Sequence, residues 1–244
     1  MTKHVTPPRR GSYGIDAPYA PAFMALMAVF LTVMAIISDH WRPFVPVLFL
    51  WSVLGLYLHS SLRGKFLVWA DLLDRLNLRG DERILDMGCG RGAVLLMAAQ
   101  HLTAGGNGRA VGVDLWKGVD QSGNALQATQ RNAIAEGVAD RVELHTADMT
   151  ALPFEDNTFD VVVSSFAIHN ISGSAGREKA IAEAVRVLRP GGRLMIADIR
   201  ATGQYREHLV KLGMNEVARR TPGWRFWWWG ATRIVTATKP ERRN

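Results

Sequence analysis

The chain has 244 residues, 48% hydrophobic and 21% charged, enough for one globular α/β domain with roughly 60 residues to spare. Its single cysteine, Cys89, excludes an internal disulfide framework and fits a reducing compartment. The net charge of +7 is uneven: residues 1–65 carry six Lys/Arg against two Asp/Glu, residues 66–216 carry 16 against 19, and residues 217–244 carry seven against one, a mildly acidic body between basic ends that argues against nucleic acid and towards anionic lipid.

A basic tail over residues 1–19 precedes two apolar runs within residues 20–62, and the remaining residues 63–244 read as the globular domain. Ala22 to Ile37 has Thr32 as its only polar residue, and Phe44 to Leu58 has no charge. Each run is apolar all round, unlike the striped helix of a soluble core. At 1.5 Å per residue each covers roughly 24 Å, the short end for a bilayer core of about 30 Å. A membrane hairpin, spanning or re-entrant, is therefore expected, with a buried hairpin or a lid over the site as alternatives. No small-residue cleavage site separates the runs, which argues against a signal peptide. Lys3, Arg9 and Arg10 precede the first run and Arg63 and Lys65 follow the second, whereas the loop holds Arg42 beside Asp39. This bias places both ends, and the globular domain, on the cytoplasmic side of a cell membrane.

Apolar spacing from Lys65 to Leu78 predicts a helix closing near Gly80. Arg83 to Met87 then reads as a strand, Gly88-Cys89-Gly90-Arg91-Gly92 as a glycine turn, and Ala93 to Leu102 as a helix. That order is the cofactor turn of a doubly wound sheet, where glycines let the backbone approach a ligand. Taken alone the turn is weak, since Gly88, Gly90 and Ala93 also satisfy the dinucleotide pattern. A second strand, Val111 to Asp114, ends in an acid able to accept from ribose hydroxyls. A third, Val142 to Thr146, runs into Ala147-Asp148-Met149, and Leu152 to Val163 is read as the fourth. Cys89 has no companion soft ligand, so it is read as packing and no metal is expected.

Asp86 completes DxGxGxG, which resembles motif I of class I S-adenosylmethionine-dependent methyltransferases. The stretch Leu152-Pro153-Phe154-Glu155-Asp156-Asn157-Thr158-Phe159-Asp160 and the turn Leu188-Arg189-Pro190-Gly191-Gly192 resemble the ubiquinone/menaquinone-biosynthesis methyltransferases and their relatives. The resemblance covers about residues 64–240 and implies a Rossmann-like seven-stranded α/β fold. It implies S-adenosyl-L-methionine as cofactor, with Asp86 at its methionine ammonium and Gly88, Gly90 and Gly92 in the turn. Asp114 and Leu115 are then expected near the ribose, Asp148 and Met149 near the adenine, and Ser164 and Ser165 beyond strand four. The fifth strand is expected at Arg193–Ile199, a helix at Gln204–Leu212, and strands six and seven at Asn215–Arg220 and Thr232–Thr238, the last antiparallel at the edge.

Residues beyond the carboxyl ends of the strands face the substrate in such sheets. Candidates are His169 and Asn170 after strand four and Asp198 and Arg200 after strand five. His169 is the candidate base, since an imidazole can take a proton from a phenol, thiol or enol as it is methylated; capping a helix is its bland alternative. The quinone-methyltransferase relatives often show Arg-Asn where this chain has His169-Asn170, which puts their ring-methylating mechanism in doubt here. Trp224 to Trp229 contains four tryptophans among arginines, a composition suited to a lipid interface. Trp227 and Trp228 are candidates for a lipophilic substrate entrance. The expected activity is methyl transfer to a lipophilic small molecule drawn from the bilayer. A protein or peptide methyltransferase at the membrane and a non-catalytic cofactor-binding protein are the alternatives. Tyr57 or His59, from the hairpin, are further residues that could reach the site.

Overall fold

The computed structural model describes residues 9–38, 40–118, 120–223 and 232–241. Two apolar helices open the chain, α1 (Tyr19–Ile37) and α2 (Phe44–His59). Pro18 and Pro43 stand at their N-caps and Pro21 and Pro46 in their first turns, where the missing N–H has no helical partner anyway. The helices pack as a hairpin. Thr32 Oγ1 donates to the Ala28 carbonyl at 2.6 Å and accepts from Trp51 Nε1 at 3.2 Å, so these polar groups are satisfied within the hairpin.

The second helix does not stop where the apolar run ends. A π-helical turn at Ser60–Gly64 carries it into α3 (Lys65–Asp74), giving one helical rod over residues 44–74. The predicted helix at 65–78 is thus the lower part of a longer element. The expected boundary at residue 62/63 falls inside its π turn, a form that recurs at functional sites.

The elements of the globular domain follow: β1 (Arg83–Met87), α4 (Ala93–Gln100), β2 (Arg109–Asp114), α5 (Leu126–Glu136), β3 (Val142–Thr146), β4 (Phe159–Ser165), α6 (Ser174–Val187), β5 (Leu188–Asp198), α7 (Thr202–Lys211), β6 (Asn215–Arg220) and β7 (Arg233–Thr238). They form one seven-stranded sheet of order β3-β2-β1-β4-β5-β7-β6. Strands β1 to β5 run parallel and β7 antiparallel to both neighbours. The central strands are buried on both faces, so Ile84, Leu85, Val161, Val162 and Val163 are fully enclosed, as helices on both sides of a parallel sheet require. Trp69, Leu73 and Leu95 fill one face, and Ile181, Val187 and Leu209 the other.

Three sequence expectations are corrected. Strand β4 begins at Phe159, because Leu152 to Asp156 spends its polar contacts in a loop: the Leu152 N–H donates to Glu183 and the Phe154 carbonyl accepts from Arg186. Leu188 to Gly192 is the start of β5 rather than a turn before it, with a register irregularity against Phe159–Val161. Strand β7 is interior, inserted between β5 and β6, and β6 is the edge. Ile234 is buried on one face of the sheet and Val235 and Ala237 on the other, as in an interior strand, whereas β6 is exposed over most of its length.

Residues 9–18 lie against the domain. Glu136 accepts from the Arg10 and Gly11 amides and the Tyr13 hydroxyl, and Asn132 bonds both main-chain groups of Ser12.

Candidate active site

The chain winds outward through β1, β2 and β3, then crosses back to place β4 on the other side of β1. Ligands bind at such a switch point, beyond the carboxyl ends of the strands. A cavity of about 590 Å³ lies there, within the range of small-molecule and cofactor sites.

Its floor is the glycine turn. Gly88 has φ +76°, and a Cβ there would collide with that of Ala167. Gly90 has φ +51°, and its Cβ would meet Gln121 Oε1 at 2.6 Å. Only glycine satisfies both conditions. The amides of Gly88 and Cys89 donate to the Val113 carbonyl and that of Gly90 to Asp114 Oδ2 at 2.8 Å, which ties the turn to the end of β2. Gly92 does not line the cavity. Its φ of +84° starts α4, and it packs against Thr129 and Leu96, so its role is helix placement rather than cofactor contact.

Asp86 is the most informative residue. It is buried beneath the turn, and its Oδ1 has no hydrogen-bond partner among the described residues. Burial, with a smaller push from the Asp114 charge, drives its carboxyl up to about 8 against a partial pull downward from the Leu95 backbone amide. A buried acceptor without a donor is costly, and a ligand ammonium reaching it would remove the cost. Asp114 accepts from Gly90, Trp116 and Asn124, which fixes its carboxylate at the cavity wall. Leu115 beside it is exposed and lines the same wall. Asp148 accepts from the Thr150 amide at 2.8 Å. That bond, with help from the Thr150 hydroxyl and nearby lysines, holds its carboxyl below the usual range, so it stands ionised next to Met149.

Ser165 lines the cavity and accepts from Trp69 Nε1 at 3.0 Å. Ser164 does not. Alternation along β4 turns it inward, where it is buried and donates to the Met87 carbonyl at 2.8 Å. Cys89 packs against Gly112, and burial raises its thiol well above the ordinary value. Among the described residues no cluster could hold a metal ion.

His169 and Asn170 line the opposite wall. His169 Nδ1 lies 2.6 Å from Oδ1 of Asp198, whose side chain is fully buried. Asp198 also accepts from the His169 and Ile199 amides and the Tyr205 hydroxyl, which immobilise it. The sequence suggested His169 and Asp198 separately; the fold makes them a pair. It also adds Asp16, Lys65 and Gln121, from the N-terminal arm, the helical rod and the loop after β2, as lining residues that no local motif marked. Tyr57 is not among the lining residues; it donates to the Asp16 carbonyl at 2.7 Å. Trp227 and Trp228 lie outside the described residues.

The cavity wall carries Asp16, Asp86, Asp114, Asp120 and Asp148 against Lys65, Lys117 and Arg200, a balance that suits a cationic ligand. The orphaned Asp86 oxygen, the glycine floor and the acid-rich wall fit S-adenosylmethionine, whose ammonium and sulfonium are both positive. Fold and site together resemble those of class I S-adenosylmethionine-dependent methyltransferases. Residues 85–196 match the family described as "Methyltransferase domain", and the chain resembles the ubiquinone/menaquinone C-methyltransferases. It is 36% identical over 132 residues to "Ubiquinone/menaquinone biosynthesis C-methyltransferase UbiE" of Ruegeria sp. (strain TM1040), covering 54% of this chain and 48% of that protein. It is 31% identical over 155 residues to "Sterol 4-C-methyltransferase strm-1" of Caenorhabditis elegans, covering 62% of this chain and 42% of that one. The chain thus spans about half the length of the curated relatives it matches. A solved S-adenosylmethionine-dependent methyltransferase from Aquifex aeolicus shares the fold, with TM-score 0.55 at 19% identity over 70% of this chain and 88% of that one.

Proposed function

We propose that this protein is a membrane-anchored methyltransferase that transfers a methyl group from S-adenosylmethionine to the hydroxyl, thiol or enol-type carbon of a lipophilic small molecule, on the cytoplasmic side of a cell membrane. The observation that carries this reading is an apolar hairpin joined directly to the cavity wall. Phe23, Leu26, Ile36, Ile37, Leu48 and Phe49 are all more than 60% exposed on α1 and α2, an apolar surface far beyond scattered exposed residues. The two helices have mean hydropathies of 2.4 and 1.6 over their candidate spans. At the base of the hairpin, Met24, Leu54 and Tyr57 pack with Ala17, Phe166 and Ile199, and the last three also line the cavity. A lipophilic acceptor leaving the bilayer along α1 and α2 meets this apolar seam before it meets His169. The similarity to a ubiquinone/menaquinone biosynthesis C-methyltransferase and a sterol 4-C-methyltransferase supports an acceptor of that class.

The bound cofactor supplies an electrophilic methyl on a sulfonium. The chain's own residues do the rest. Asp86, the glycine turn, Asp114 and Asp148 would hold the cofactor. His169 takes the acceptor's proton, and the Asp198 carboxylate 2.6 Å from its ring stabilises the imidazolium that forms. Arg200 donates to the His169 carbonyl at 3.2 Å and holds that loop in place.

Incubating the full chain with methyl-labelled S-adenosylmethionine and a membrane lipid extract tests the proposal. A labelled product that partitions into organic solvent is expected. Label found only on polypeptide would instead favour a protein methyltransferase at the membrane.

A further inference from the structure

A connected polar cluster lies where the N-terminal arm, the hairpin and the cofactor loop meet. Asp16 of the arm accepts from Lys65 Nζ at 3.0 and 2.8 Å, from Ser61 Oγ at 3.1 Å and from Gln121 Nε2 at 3.0 Å. Gln121 turns its Oε1 to the Arg91 amide of the glycine turn at 2.9 Å. The ion pair is deep, with side-chain exposures of 5% for Lys65 and 15% for Asp16, and both residues line the cavity.

Valence makes the two partners unequal. Four donor contacts fill the oxygens of Asp16. An ammonium has three N–H bonds, and Lys65 makes its hydrogen bonds to the two oxygens of one carboxylate, with the Phe66 ring 5.4 Å away. The cavity is otherwise acid-rich, and of its three cationic residues Lys117 and Arg200 are exposed whereas Lys65 is buried. A ligand carboxylate entering this cavity needs a buried cation.

We infer that Lys65, held in place by Asp16, binds the carboxylate of the cofactor's methionine portion, so that the amino-acid end of the cofactor is gripped by the membrane hairpin's own helix. This rests on the cofactor reading above. Asp86 and Lys65 then recognise the two ends of an α-amino-acid zwitterion, and Asp16 acts as a positioning residue. The cofactor site is complete only when the arm is docked and the rod over residues 44–74 is seated.

Calorimetry on the full chain in detergent separates this from a purely structural clasp. The probes are S-adenosylhomocysteine and 5′-methylthioadenosine, which lacks the amino-acid part. Lys65→Gln should weaken S-adenosylhomocysteine about 10- to 100-fold, the worth of a charge-assisted hydrogen bond, and leave methylthioadenosine unchanged; Lys65→Arg should recover most of the loss. Should Lys65→Gln not fold, the double variant Lys65→Met with Asp16→Asn removes both charges and should show the same selective loss. Equal weakening of both probes, or no change in S-adenosylhomocysteine, would overturn the inference. Wild-type protein that binds neither probe would overturn the cofactor reading, and the inference with it.

Discussion

The imidazole of His169 and the carboxylate of Asp198 meet at 2.6 Å although they lie 29 residues apart, on the loop after β4 and at the end of β5. Because Asp198 also takes the His169 amide, backbone and ring are held by one buried group. His169→Ala should lower the rate of methyl transfer about 10²- to 10⁴-fold, the range of a positioned general base. Asp198→Asn keeps an acceptor oxygen for one of the two amides, which bond different carboxylate oxygens, and loses the charge beside the imidazolium, so a loss of about 10²-fold in kcat with little change in cofactor Kd is expected. Transfer of label to the lipid fraction measures both, and full activity in either variant would remove the pair from the mechanism.

Asp86 makes stability and cofactor affinity depend on pH in opposite senses. Its carboxyl is pushed up to about 8 in the folded chain, against about 3.9 when unfolded. Its contribution is therefore fully present below about pH 4 and is lost as pH rises towards 8. Asp86→Asn should stabilise the cofactor-free protein at pH 7, on the order of 2–4 kcal/mol, and flatten its thermal stability between pH 5 and 8. The wild type should bind S-adenosylhomocysteine more tightly as pH rises from 6 to 8, and the variant weakly throughout. Parallel pH profiles for the two proteins would contradict this.

Gly88→Ala brings a Cβ into Ala167 at a backbone φ of +76°. The strain and the collision together should cost at least about 2 kcal/mol, read as a lowered Tm, and should abolish cofactor binding by displacing the turn.

The hairpin is tested by charge rather than by truncation, because a chain beginning at Arg63 would lack the arm that carries Asp16. Leu26 and Phe49 are 68% and 70% exposed. Leu26→Asp with Phe49→Asp places two carboxylates on the exposed apolar surface, at about 2.5–3.5 kcal/mol each if it lies in a bilayer. The wild type should stay with salt-washed membranes and the variant should move to the soluble fraction. Wild-type protein already soluble without detergent would sink the anchor.

Local chemistry was legible in the chain wherever the signal fits in a few residues. Asp86 to Gly92 spells a strand, a glycine turn and a helix start because each step needs a particular backbone conformation. The acids at Asp114 and Asp148 announce strand ends in the same way. The runs at 22–37 and 44–58 declare their apolar surfaces directly. Tertiary structure decided the rest, because contact across the fold leaves no periodic mark. It seated β7 between β5 and β6, turned Ser164 inward and Ser165 to the cavity, and made one rod of the hairpin helix and the first domain helix. It also brought Asp16 to Lys65 across 49 residues and Gln121 to Asp16 across 105. A carboxylate and an ammonium in solvent are unremarkable residues; only burial against each other makes them a site.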